Sequence, residues 1–258
     1  MSNNAETSGN YYSKEFESET LAFRIDQHDK DLLFRIPDLV SLTAYMFSGN
    51  FSILDIGCGV GKVPSAIKHL YSRSKICGID ISQPNIEKAR VLVPDVEFSQ
   101  SNEMLEAFEL NSFDYATCRM SFHHYSNIRK HLAAVRRILK PFGQYLIMDI
   151  IPENKEDCGI FNDVFLSGER SGNGDGHYRF YSKDEYREIA EENKYDVRFQ
   201  GYSPLWVTWP KDGNYFRVIS ESLLQTPIEF RDKIFFKNDQ NSFQFLMLLG
   251  GAILRRLD

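Results

Sequence analysis

The chain has 258 residues, a formal net charge of −6, 42% hydrophobic and 14% aromatic residues. This length suits one α/β domain with a sizeable core. Scattered Lys and Arg, with no basic run, argue against a nucleic-acid partner. The greasiest run, Phe245 to Leu254, is too short to span a bilayer and is broken by Gly250 and Gly251, so no membrane insertion is expected. Cys58, Cys77, Cys118 and Cys158 show no CxxC pair and no zinc spacing; reduced, packed thiols and no metal are expected. The polar start MSNNAETSGN has no apolar signal core, and a cytoplasmic protein is the simplest expectation.

In chain order, residues 1–12 read as disordered, and Ser13 to Asp29 and Leu32 to Phe47 as helical stretches, the second interrupted at Pro37. Together they make an N-terminal helical cap over 1–48. Ser52 to Ile56 is a short apolar run ending in glycines, the signature of a buried parallel strand. Helix is predicted over Lys62 to Tyr71, strand over Lys75 to Ile81, and helix over Gln83 to Leu92 with Ser82 as N-cap. Strands follow at Val96 to Ser99 and Asp114 to Arg119. A helix at Ile128 to Leu139, stopped by Pro141, precedes a strong apolar strand at Gln144 to Ile151. Such β-α alternation implies a parallel sheet with helices on both faces, with 50–151 as its core. Pro152 to Tyr181, polar and glycine-rich, reads as a long loop or lid. Ser182-Lys-Asp-Glu185 is a capping box for a helix to about Asn193. Strand at Asp196 to Trp209, helix at Tyr215 to Leu224 and strand at Ser242 to Arg255 complete a single domain over 1–258, with lid and C-terminal strands in 152–258.

The strongest motif is Ile53-Leu-Asp-Ile-Gly-Cys-Gly-Val-Gly-Lys62, with Asp55, Gly57, Gly59 and Gly61 at alternate positions. It lies between a strand and a helix. Glycines there allow backbone angles that a Cβ forbids and let the loop approach a ligand closely, while the helix N-terminus favours the bound group. Gly78-Ile-Asp-Ile81 ends the next strand. A carboxylate there can accept from both ribose hydroxyls, the general geometry for adenosine ligands.

These two motifs resemble the first and second motifs of class I methyltransferases. Phe113-Asp-Tyr-Ala-Thr-Cys-Arg-Met-Ser-Phe-His-His-Tyr125 resembles the fourth-strand motif of the branch containing ubiquinone and menaquinone biosynthesis methyltransferases, as does Ile138-Leu-Lys-Pro-Phe-Gly143. The resemblance covers residues 50–150. It implies a seven-stranded, mostly parallel Rossmann-like sheet with helices on both faces and an antiparallel last strand. It also implies S-adenosylmethionine as cofactor. By motif position, the loop Gly57, Cys58, Gly59 and Gly61 would floor the methionine part, and carbonyls near Gly57 and Arg119, followed by Met120, would take its ammonium. Asp80 would hold the ribose, and Ile81 would lie against the adenine. Ser101-Asn102-Glu103 stands where the family often has Gly-Asp-Ala, so Asn102 replaces a charged acceptor with an amide. Asp55 is expected to brace the glycine loop.

The implied reaction moves a methyl group to a small-molecule acceptor. The chain must align the acceptor and manage one proton. His123 and His124, just past the fourth strand, are the candidates for that proton. His177, Tyr178, Arg179 and Tyr181 resemble a region that covers the acceptor; Tyr11, Tyr12, Phe16, Trp206 and Trp209 are further wall candidates, with packing as the alternative for each. Two other readings stand beside this one. A protein could bind the cofactor without transferring a methyl. A nicotinamide-dependent oxidoreductase is the other, although GxGxG departs from the GxGxxG dinucleotide fingerprint.

Overall fold

The computed structural model describes residues 50–102, 104–168, 177–210 and 214–258. The predicted N-terminal cap over 1–48 lies outside the described residues, as does the glycine run Ser171 to Gly176.

The first half alternates as the sequence predicts: β1 (Ser52–Ile56), α1 (Lys62–Leu70), β2 (Lys75–Asp80), α2 (Gln83–Leu92), β3 (Glu97–Gln100) and β4 (Phe113–Arg119). A 3₁₀ turn at Phe122–His124 leads into α3 (Ile128–Ile138) and β5 (Leu139–Ile150). The second half adds α4 (Lys155–Gly168), α5 (Lys183–Glu192), β6 (Tyr195–Pro210), α6 (Asn214–Leu224), α7 (Ile228–Lys233), the two-residue β7 (Lys237–Asn238) and β8 (Ser242–Arg256). The sheet order is β3-β2-β1-β4-β5-β8-β6, with β7 on β8. Strands β3, β2, β1, β4 and β5 pair in parallel, whereas β8 runs antiparallel between β5 and β6. The seven main strands therefore match the expected architecture, with the chain's last strand reversed.

Alternation along β1 separates two cores. Ile53 packs with Val63, Ile67, Ile86 and Ala89 of α1 and α2. Leu54 and Ile56 face the other way, with Leu132, Val135 and Ile138 of α3 and Ile189 and Ala190 of α5. Both sheet faces are thus covered, as parallel strands require. Ser82 caps α2 by accepting from the Asn85 amide, and Ser182 and Glu185 form both hydrogen bonds of the capping box at α5.

The stretch Pro152 to Tyr181 corrects the sequence reading. It is not one long loop: residues Lys155–Gly168 form α4. The Asn154 side chain accepts from the Asp157 amide and starts the helix. Cys158, Phe161, Val164 and Phe165 bury one stripe against Phe180, Ile219, Phe230 and Phe245. Each buried Phe contributes roughly 1.5–3 kcal/mol, enough to fix a helix whose local sequence is polar. Asn162 then clamps the returning chain, its Oδ1 accepting from the Phe180 amide at 2.8 Å and its Nδ2 donating to the Phe180 carbonyl at 3.0 Å.

Candidate active site

The glycine turn sits at the carboxyl end of β1, where open α/β sheets bind ligands. The amides of Gly57 and Cys58 both donate to the Ile79 carbonyl at 2.8 Å, which pins the turn to β2. Gly57, Gly59 and Gly61 have φ of 75°, 52° and 87°, the left-handed region that glycine adopts freely. Gly57 is fixed by sterics as well: a Cβ there would lie 2.1 Å from Ser121 Oγ and 2.6 Å from Ser121 Cβ. At Gly59 a Cβ would meet nothing within 4 Å among the described residues, so against them that part of the turn is bare backbone. Cys58 is buried, and burial pushes its thiol above the usual range.

Asp80 ends β2 and holds the turn. Its Oδ2 accepts from the Gly59 amide at 2.8 Å and its Oδ1 from the Ser82 amide at 2.9 Å. Burial pushes its carboxyl up, and these amide donors pull it back. The Asn85 side chain and the Ile81 amide also pull the Asp80 carboxyl down. Ile81 follows, half-buried, its carbonyl taking the Gln100 side-chain amide at 2.9 Å.

The bracing expected of Asp55 falls to Asp80. Asp55 is 1% exposed and accepts from Thr117 Oγ1 at 2.6 Å, tying β1 to β4. Burial lifts its carboxyl to about 7, against the pull of Thr117 and the Arg119 charge. Arg119 lies in the field of both Asp55 and Asp149, yet burial lowers its guanidinium to about 10. Its buried Nε has no hydrogen-bond partner among the described residues. Met120 bends the chain with φ of 51°, uncommon for this residue type, and its amide donates to the Met148 carbonyl at 2.8 Å. That bend delivers Ser121 onto Gly57 and starts the turn carrying the histidines.

His123 is 3% exposed, with Nδ1 2.7 Å from Asp149 Oδ1 and its amide donating to Asp149 Oδ2 at 3.2 Å. The Ile150 amide also donates to Oδ1, at 2.7 Å. A carboxylate so surrounded by donors acts as acceptor, which makes Nδ1 the protonated nitrogen and leaves a lone pair on Nε2. The His123 carbonyl accepts from the amides of both Tyr178 and Arg179, at 2.8 and 3.0 Å. These bonds bring His177 over the turn: its ring stacks on His124 at 4.8 Å between centroids and 15° between planes, and lies 4.8 Å from the His123 ring. Tyr181 is buried under the Arg179 guanidinium, which pairs with Glu185.

The structure therefore brings together Gly57, Cys58, Gly59, Gly61 and Asp80 in one turn, with Arg119, Met120, His123, His124 and His177 at the adjoining end of β4. Asn102 is exposed, and its Oδ1 accepts from the Met104 amide at 3.0 Å. Glu103, Tyr11, Tyr12 and Phe16 lie outside the described residues, and so do the side chains of Trp206 and Trp209. The sequence reading missed Asp149, Ser121 and Thr117. Asp149 carried a signal: one acid inside the apolar run Tyr145 to Ile151 demands a buried partner.

A pinned, left-handed glycine turn, an acid at the end of β2 and a sheet whose last strand is reversed give the Rossmann-like fold seen in solved methyltransferase structures. Residues 54–147 match the family model described as "Methyltransferase domain". The chain is 33% identical over 102 residues to the uncharacterized methyltransferase YcgJ of Bacillus subtilis, a match spanning 38% of this chain but only 40% of YcgJ. It is 29% identical over 165 residues to the demethylmenaquinone methyltransferase of Thermotoga maritima, covering 57% of this chain and 71% of that protein. The crystal structure of YcgJ superposes with a TM-score of 0.67 at 22% identity, covering 81% of this chain and 93% of that one. A Haemonchus contortus phosphoethanolamine N-methyltransferase 2, in complex with phosphomonomethylethanolamine and S-adenosylhomocysteine, superposes with a TM-score of 0.56 at 17% identity, over 85% of this chain and 52% of that one. No helix among the described residues is long and apolar enough to cross a membrane.

Proposed function

We propose that this protein transfers a methyl group from S-adenosylmethionine to a small-molecule acceptor by in-line displacement. The observation that carries the reading is the glycine turn held by Asp80, with no described residue within 4 Å of where a Gly59 Cβ would lie and the histidine-bearing end of β4 packed on Gly57. The cofactor supplies a methyl already activated by its sulfonium.

The residues present suit that cofactor. Gly57, Cys58, Gly59 and Gly61 would floor its methionine part with bare backbone. The unsatisfied Arg119 Nε is a donor suited to the methionine carboxylate, while the backbone of Gly57, Arg119 and Met120 would meet the ammonium. Asp80 would hold the ribose hydroxyls, with Ile81 against the adenine and Asn102 near its amino group. Asp55 keeps β1 and β4 in register beneath the site. On the acceptor side, Asp149 holds the His123 ring so that Nε2 can take the acceptor's proton, with His124 beside it. Positioning supplies most of the remaining rate, because reacting atoms held in line need little further reorganisation.

The test is incubation of the chain with labelled S-adenosylmethionine and a pool of small quinols, phenols and amines, read by mass spectrometry. One acceptor should gain a methyl in place of a hydrogen. Tight S-adenosylhomocysteine binding with no methylated product from any pool would instead favour a cofactor-binding protein without transfer. A cytoplasmic setting fits four buried, unbridged cysteines.

A further inference from the structure

The acceptor-side histidines do more than stack. One ring nitrogen from each of His123, His124 and His177 lies within 4.8 Å of the others. We propose that these three residues form a binding site for a divalent transition-metal ion, with zinc-like preference, beside the methyl-transfer cleft. The inference rests on the methyltransferase reading only for what the ion would adjoin.

Three features support it. First, the chemistry of the set is right: three imidazoles with an open fourth position are the donor set of catalytic zinc sites, and imidazole suits Zn, Cu, Ni and Co alike. Second, His123 already has the outer partner that metal-bound histidines use. Asp149 takes Nδ1–H at 2.7 Å, which fixes the ring and leaves Nε2 as the ligand atom. A buried carboxylate receiving three donors from His123 and Ile150 holds that ring far more firmly than packing alone. Third, the two sequence segments are locked together. The His123 carbonyl accepts from both Tyr178 and Arg179, and Asn162 clamps Phe180, so His177 is delivered to the pair from 53 positions along the chain by backbone bonds.

The required adjustment is small. Tetrahedral ligation at Zn–N of about 2.0–2.1 Å places ligand nitrogens about 3.4 Å apart. His124 and His177 are half-buried, and rotation of these two rings, whose terminal torsions are soft, closes the gap while His123 stays fixed. The arrangement leaves the fourth position for water or for an acceptor oxygen or nitrogen. With the ion bound, Nε2 is a ligand and no longer takes the acceptor's proton; the ion instead favours acceptors that offer an ionisable hydroxyl, because a coordinated hydroxyl loses its proton more readily.

The experiment titrates the full-length, tag-free chain with Co²⁺, read by visible absorption, and with Zn²⁺, read by calorimetry. One equivalent should bind, with the strong visible bands of a tetrahedral cobalt site. His177→Ala and His124→Ala should each weaken binding by at least tenfold while circular dichroism and melting stay near the parent. Asp149→Asn should weaken it 10- to 100-fold through loss of ring orientation; should that variant fail to fold, His177→Gln serves as the second ligand test. Absence of stoichiometric Co²⁺ and Zn²⁺ binding overturns the proposal, and so does binding that His177→Ala and His124→Ala leave unchanged. S-adenosylhomocysteine binding and methyl transfer by the metal-free parent are measured alongside. Their failure counts against the methyltransferase reading, whereas metal failure alone counts only against the ion site.

Discussion

Replacing Gly57 by Ala perturbs the site at its tightest point. Two costs add. Ala at φ of 75° enters a region that costs an L-residue about 1–2 kcal/mol. Its Cβ would also meet Ser121 Oγ at 2.1 Å and Ser121 Cβ at 2.6 Å, against an ordinary contact distance of about 3.5–4.0 Å. A new serine rotamer moves Oγ but not Cβ, so the backbone of the β4 turn must retreat. Overpacking of that kind costs about 1–3 kcal/mol. The sum, about 2–5 kcal/mol, lowers Tm by roughly 5–15 °C for a chain of this size. Differential scanning calorimetry reads it directly. The double variant Gly57→Ala with Ser121→Gly removes the steric part but keeps the backbone part, so a double-mutant cycle should return about 1–3 kcal/mol of favourable coupling. A single variant melting within about 1 °C of the parent, or a cycle with no coupling, would refute the packing of Ser121 on the glycine turn.

Three further perturbations test other links. Asp55 has its carboxyl raised from 3.8 to about 7 by burial. The folded state therefore holds a proton that the unfolded state releases above about pH 4, and stability falls from about pH 4 to pH 7. Asp55→Asn should flatten that slope in urea titrations and stabilise the chain above pH 7 by at most about 4 kcal/mol, three pKa units at 1.36 kcal/mol each; a parent whose stability rises over this window contradicts the sign. Tyr145→Phe removes the 2.8 Å bond to His131 Nε2 in a fully buried pair and should cost about 1–3 kcal/mol, so a loss below about 0.5 kcal/mol in chemical denaturation counts against a direct bond there. Ser182→Ala deletes the α5 capping box and should cost about 1 kcal/mol; an unchanged denaturation midpoint speaks against it.

Much of this fold is written locally in the sequence. The run from Ser52 to Ile56 ending in glycines, the apolar strand at Gln144 to Ile151 and the two serine caps all depend on neighbours within a few residues. Even β8 was legible, although it carries Gly250 and Gly251, because the rest of Ser242 to Arg255 is apolar. What escaped depends on distant partners. Helix α4 contains Gly159 and Asn162 and borders a glycine run; its buried stripe makes sense only once Phe230 and Phe245 lie opposite. The contact of Asp149 with His123 spans 26 positions. The spacing rules for metal sites look for ligands close in sequence, and His177 reaches the His123–His124 pair only through backbone bonds to the His123 carbonyl. Asp55 and Asp80 both stand out in the sequence, but which one steadies the turn depends on which strand each side chain faces.

Calorimetric titration of S-adenosylhomocysteine into the full chain and into Asp80→Ala asks most directly whether the turn after β1 is a cofactor seat. One-to-one binding by the parent and a loss of at least a hundredfold in the variant are predicted, since Asp80 holds the Gly59 amide and, in the proposed function, the sugar as well, with charged hydrogen bonds worth about 1.5–3 kcal/mol each. A parent that binds nothing, or an Asp80→Ala chain that binds as tightly as the parent, would contradict it.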